Sequence, residues 1–224
     1  MTLALLHTSP RHVPVFDGLR DADHQGLELG HFVDEELLSR ARAEGPDAVR
    51  DDVRAALERA VDLGARVVLC TCSTIGGVAE AAAPEVGVPV LRVDRPMASA
   101  AVAAGPRIVV LATVESTLGP TAALIEEEAR RAGDAVAVRG RLVGGAWQRF
   151  EAGDLEGSLR LVAAAADEER DADVIVLAQV STASAQDLVA TTIPVLSSPR
   201  LGLAAGARAM AAAGRPSHVR GTGE

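Results

Sequence analysis

The sequence predicts an α/β fold of two similar lobes, each a parallel sheet wrapped in helices, with a cleft between them. Three observations predict it. Short apolar runs alternate with amphipathic helical stretches along almost the whole chain, the pattern of parallel sheets with right-handed crossovers. Aromatics are scarce, with one Trp, three Phe and no Tyr, so the core is Val, Leu, Ile and Ala, which suits helices packed closely on a parallel sheet. Finally, two segments recur in order at a nearly constant offset. Val68-Leu69-Cys70-Thr71-Cys72-Ser73-Thr74 aligns with Val176-Leu177-Ala178-Gln179-Val180-Ser181-Thr182, and Val88-Pro89-Val90-Leu91 with Ile193-Pro194-Val195-Leu196. The halves are placed at residues 1–104 and 105–214, related by a pseudo-twofold, with a polar tail at 215–224.

In order, Thr2–Leu6 reads as a first strand ending at His7-Thr8-Ser9-Pro10, and Leu27–Val33 as a second. Pro46–Leu63 carries Val49, Val53, Ala56, Leu57 and Ala60 at helical spacing. Arg66–Thr71 is a buried strand, followed by a helix from about Ile75. Val88–Leu91 is a strand and Pro96–Ala104 a helix. The second half repeats the alternation: strand Arg107–Ala112, helix Gly119–Ala132, strand Ala135–Arg139, helix Asp154–Arg170 and strand Asp173–Ala178. A helix near Thr182–Val189, strand Ile193–Leu196 and helix Arg200–Ala213 complete it.

Composition excludes several chemistries. All 22 basic residues are Arg, so a Schiff-base, pyridoxal-phosphate, P-loop or catalytic lysine is ruled out. The net charge of −9 and the lack of basic runs argue against nucleic acid or an anionic membrane as partner. No stretch has the length of an apolar span, and the N-terminus lacks the basic start of a signal peptide. Cys70 and Cys72 are too close for an ordinary disulfide, which points to a reducing, cytoplasmic setting.

Cys72 follows a strand and precedes a helix. There a thiol faces free backbone N–H groups and the positive end of the helix dipole, which favours the thiolate as base or nucleophile. The same amides, with Ser73 and Thr74, suit a carboxylate. Cys70, inside the strand, reads as a small core residue. The segment Ala112-Thr113-Val114-Glu115-Ser116-Thr117 presents hydroxyls and amides toward the same cleft. Ser9, Ser181 and Thr182 follow other strands and are further carboxylate-binding candidates. His7 and Glu115 are the candidate second acid or base. His12 reads as a surface residue, Asp94, Arg95 and Arg200 as solvated helix-start charges, and Trp147 and Phe150 as packing. No metal-ligand pattern occurs.

Cys72-Ser73-Thr74 in the first half, Ala112-Thr113-x-x-Ser116-Thr117 opening the second, and His31-Phe32-Val33-Asp34-Glu35-Glu36-Leu37-Leu38 before a helix resemble the aspartate/glutamate/hydantoin racemase superfamily over roughly residues 3–212. The resemblance implies two flavodoxin-like lobes and a cofactor-independent site in which two thiols, one per lobe, face the substrate's α-carbon. Cys72 matches the first thiol. Thr113, Ser116 and Thr117 match the carboxylate-binding loop, and Ser73, Thr74, Ser181 and Thr182 the polar neighbours of the two thiols. Val180 stands at the second thiol's position and cannot carry a proton. The expected function is therefore racemase-like isomerisation next to a carboxylate with Cys72 as base. The alternatives are a one-thiol decarboxylase, like the arylmalonate decarboxylase branch, or an inert carboxylate-binding protein. A small carboxylate is the expected partner, with a homodimer possible on fold grounds.

Overall fold

The computed structural model describes residues 2–214; the tail at 215–224 lies outside the described residues. The first half begins with β1 (Thr2–His7), a 3-10 turn at Pro10–His12, α1 (Val13–Asp23), β2 (Glu28–Val33) and α2 (Glu35–Glu44). It continues through α3 (Arg50–Asp62), β3 (Ala65–Cys70), α4 (Ser73–Ala81), α5 (Ala83–Val86), β4 (Val90–Arg92) and α6 (Arg95–Ala104). The second half holds β5 (Arg107–Ala112), α7 (Glu115–Ala132), β6 (Ala137–Leu142), α8 (Ala146–Glu151), α9 (Leu155–Asp167) and β7 (Val174–Leu177). A 3-10 helix at Val180–Asp187, β8 (Val195–Ser197) and α10 (Ser198–Ala213) follow.

Two four-stranded, all-parallel sheets result, in the order β2-β1-β3-β4 and β6-β5-β7-β8. The same order twice is the structural form of the sequence repeat. The central strands β1, β3, β5 and β7 are almost wholly buried, as expected for strands covered on both faces. Alternate residues divide between the faces. In the first sheet Ala4, Leu6, Val68 and Cys70 pack with α2, α3 and α4, while Leu3, Leu5, Val67 and Leu69 pack with Phe16 of α1 and Leu203 and Met210 of α10. In the second, Ile108, Val110, Val174 and Val176 pack with α6 and α7, and Val109, Leu111, Ile175 and Leu177 with α8 and α9.

The last helix of each half is thus exchanged. Helix α6 covers the second sheet and α10 the first. A boundary at 104/105 separates the sheets but not their cores, because each sheet's outer face is closed by the other half's helix. Helix α10 approaches closely at Gly202, where a Cβ would stand 2.5 Å from the Val93 carbonyl oxygen, so only glycine fits there.

Several boundaries differ from the sequence reading for local reasons. Helix α7 starts at Glu115, before the Gly119-Pro120 pair, because Val114 is extended and places Glu115, Ser116 and Thr117 in the first turn. Helix α1 escapes a pattern reading because Pro14 and Gly18 interrupt its Val13, Phe16, Leu19 stripe. The segment read as a helix at Thr182–Val189 is a 3-10 helix at Val180–Asp187. Asp94 is not a solvated charge. It is fully buried and accepts two hydrogen bonds from Arg92, from Nε at 2.9 Å and Nη2 at 2.9 Å. Arg95 likewise bonds Glu80, Glu127 and Glu128, and Arg200 pairs with Asp23.

Candidate active site

The carboxyl ends of both sheets meet at a cleft with a cavity volume of ≈ 80 Å³. That is room for a handful of waters, about the size of a small acid. Thr8 and Ser9 after β1, Thr71, Cys72, Ser73 and Thr74 after β3, and Thr117 in the first turn of α7 line it. Gln179, Val180 and Ser181 after β7 complete the floor, with Val180 its apolar member. This is the position where open α/β sheets bind ligands.

Cys72 is the extended N-cap residue of α4 (φ −113°, ψ 119°), so its side chain sits at the helix's positive end. It is 8% exposed and lines the cleft. Cys70 is fully buried, its thiol donates to the Cys72 carbonyl at 3.7 Å, and burial pushes its pKa up. Both cysteines are buried and both belong to the first sheet's core cluster; of the two, Cys72 also lines the cleft.

The hydroxyls behave less uniformly. Ser73 Oγ donates across the cleft to the Ala178 carbonyl at 3.0 Å, tying the two lobes at the site. Thr113 does not line the cleft, because Gln179 Oε1 accepts from its backbone N–H at 2.6 Å and from its hydroxyl at 2.9 Å. A backbone N–H can only donate, so the atom it meets is the amide oxygen, which leaves the Gln179 amide NH2 for the cleft. Gln179 thus occupies the donors that sequence reasoning reserves for a carboxylate. Thr182 Oγ1 donates to the Gln179 carbonyl at 2.9 Å and serves its own 3-10 helix. Ser116 Oγ is buried without a hydrogen-bond partner among the described residues, away from the cleft. Ser9, Ser73, Thr74, Thr117 and Ser181 do line it.

Neither candidate second acid reaches the cavity. Glu115 is exposed at the start of α7 and does not line the cavity. His7 lies behind the wall, 0% exposed. Its Nδ1 meets Thr71 Oγ1 at 2.8 Å and its Nε2 meets His31 Nδ1 at 2.9 Å, while His31 Nε2 approaches Asp17 at 3.3 Å. The Thr71 hydroxyl donates its one proton to the Leu6 carbonyl at 3.1 Å, so His7 Nδ1 donates to the hydroxyl oxygen and His7 Nε2 accepts from His31 Nδ1. The chain straps β1, β2 and β3 together.

The structure brings in residues that the sequence reading leaves outside. His12 is half-buried rather than a plain surface residue: it lines the cleft, and its Nδ1 is buried with no hydrogen-bond partner among the described residues. Leu38 and Arg42 of α2 face Trp147 and Phe150 of α8 across the mouth. The Arg42 guanidinium lies 5.1 Å from the Trp147 ring centre, Arg11 lies 5.2 Å from Phe150, and the two rings stack at 5.3 Å. The available signal was the repeat: α2 and α8 follow equivalent strands, so their side chains meet across the pseudo-twofold. Among the described residues no group of three or more His, Cys, Asp or Glu could hold a metal ion, and no helix is long and apolar enough to cross a membrane.

Burial holds His7 down to about 3, helped by His12 and His31, and holds His12 down to about 4. Both values lie below the ordinary one near 6.5, so the folded protein resists protons that the unfolded chain accepts. Stability is complete above about pH 6.5 and falls as pH drops toward 4 and 3. The expected slope approaches ~1.4 kcal/mol per pH unit for each histidine. Urea unfolding between pH 7 and 5, above most carboxylate titration, checks this. A flat free energy over that interval contradicts it.

The Asp/Glu/Hydantoin racemase family model matches residues 6–206, nearly the whole chain. The chain belongs to the Asp/Glu/hydantoin racemase family. No curated protein matches this racemase-family chain in sequence. Among solved structures it is similar to glutamate racemase from Francisella tularensis in complex with D-glutamate, at TM-score 0.68 and 13% identity, covering 94% of this chain and 80% of that one. A glycine-to-cysteine mutant of arylmalonate decarboxylase in a sulfate-associated form gives TM-score 0.66 and 21% identity, covering 94% of each chain. Allantoin racemase from Pseudomonas fluorescens gives 0.60 and 19%, covering 98% and 95%. The racemase fold is therefore shared by proteins of differing activity, and the distinguishing chemistry of this member lies in its cleft residues.

Proposed function

We propose that the protein is a cofactor-independent isomerase that moves the α-proton of a small carboxylate, with Cys72 as thiolate base. The observation that carries this reading is the placement of Cys72 at the cap of α4, inside a cleft built from both lobes. The α4 amides and the Ser9, Thr74, Thr117 and Ser181 hydroxyls are the donors for the substrate carboxylate, which they hold with the α-carbon beside the thiol. Thr113 and Thr182 support the loops around it through their hydrogen bonds to Gln179.

Two measurements test the reading. In D2O, the wild-type protein exchanges the α-proton of aspartate, glutamate or a hydantoin-type substrate, followed by NMR. Iodoacetamide alkylates Cys72 and leaves Cys70 unmodified by mass spectrometry, because Cys70 is fully buried with its thiol pushed up. An unreactive Cys72 overturns the assignment.

A second reading is favoured by Val180, which lines the cleft where a second thiol would stand. A single thiol suffices to protonate a carbanion formed by loss of carbon dioxide. Release of carbon dioxide from an arylmalonate, without α-proton exchange on amino acids, selects this reading over isomerisation.

A further inference from the structure

We propose that His12 is the second proton-transfer group of the site, taking the place that the missing thiol leaves open. The inference rests on the isomerase reading above and names the residue that completes it. Its ring lines the same cleft as Cys72 and Val180. The 3-10 turn that carries it, Pro10–His12, packs against the 3-10 helix that begins at Val180. The imidazole therefore stands between His7 of β1, 6.1 Å away between ring centres, and the second lobe's 3-10 helix, whereas Cys72 sits just past the end of β3. Its buried Nδ1 has no hydrogen-bond partner among the described residues. A buried polar atom without a partner is costly, and within a ligand cleft a bound molecule supplies the partner.

The other titratable groups do not fill this role. His7 lies 6.1 Å from His12 between ring centres, but both of its nitrogens are engaged behind the wall. Glu115 is outside the cavity. Arg42 lines the cleft, but a guanidinium has donors only and no acceptor, so it cannot act as a base. Burial keeps His12 neutral at pH 7, so its lone pair is available.

The proton balance closes with one proton shared between two groups. From one enantiomer, neutral His12 takes the α-proton as the C–H bond breaks, and the electron pair passes into the carboxylate-stabilised carbanion. The Cys72 thiol then gives its proton to the opposite face. The site is left as thiolate and imidazolium, which is the state needed to convert the other enantiomer in reverse. An internal proton transfer between the two groups restores the neutral pair, so no co-reactant is consumed.

The test has a part that needs no substrate. Iodoacetate carboxymethylates Cys72 and so places a carboxylate at the reacting centre. Nitrogen-15 NMR of the ring nitrogens should then show the His12 titration rising by at least about one pH unit, since a nearby negative charge favours imidazolium. His24, at the far end of α1, should not move. In D2O, with D- and L-glutamate and D- and L-aspartate as probes, His12→Asn and His12→Gln should lose at least ~10²-fold in inversion. Both should still wash deuterium into the enantiomer that Cys72 deprotonates, with KM nearly unchanged. Exchange by the wild-type protein with an unmoved His12 signal, or with inversion intact in both variants, overturns the role of His12 alone. Absence of any exchange by the wild-type protein overturns the isomerase reading and this role with it.

Discussion

Cys72→Ala and Cys72→Ser abolish inversion and the α-proton exchange of the enantiomer that Cys72 deprotonates, with rates at least ~10³-fold below wild type, while the fold and carboxylate affinity persist. The magnitude follows from the work asked of one atom. Removing a positioned acid–base group costs typically about 10²–10⁴-fold. Serine keeps the volume, but its hydroxyl is a far weaker acid than a thiol and supplies no base near neutral pH. Stability should change little, since the side chain touches the cavity and no hydrogen bond of the Cys72 thiol holds the helix cap. Binding of a small carboxylate, measured by calorimetry, should stay within about 3-fold of wild type, because amides and hydroxyls hold the anion. Inversion that survives in Cys72→Ala moves the base elsewhere and removes the central assignment.

Asp94→Ala produces the largest loss of stability, about 3–5 kcal/mol. Arg92 and Asp94 form a two-point pair with side chains 7% and 1% exposed. Removing the carboxylate strands a guanidinium in the interior. For a chain of this size that loss corresponds to a fall in Tm on the order of 10 °C. The pair also supports the site: a Cβ at Gly76 would lie 3.0 Å from Arg92 Nε, so the arginine packs directly beneath α4, the helix that Cys72 caps. Replacing both partners by apolar residues, as in Arg92→Met with Asp94→Val, should recover much of the loss, since no buried charge is then left unpaired. Thermal unfolding of the single and double variants checks this. A double variant that is less stable than Asp94→Ala contradicts it.

The chain by itself determined the alternation of strands and helices, the doubling of one αβ lobe and the place of Cys72, because these are local. Periodicity reports which faces are buried, the repeat reports a shared topology, and a thiol between a strand and a helix reports its own place at the helix cap. Sequence also distinguished Cys70 from Cys72, since one lies inside the apolar run and the other just beyond it. What needed the tertiary structure was every pairing made across the lobes. Gln179 takes the Thr113 donors, Ser73 reaches Ala178, Arg42 stacks on Trp147, and α6 and α10 exchange sheets. His12 and Asp94 were misplaced for the same reason. Each sits beside a Pro or Arg at the start of a helix, where a local reading expects solvent, and segments distant in sequence bury Asp94 and half-cover His12. Burial is a property of what arrives from elsewhere in the chain, so charge and exposure at element ends were settled only when the two lobes closed on one another.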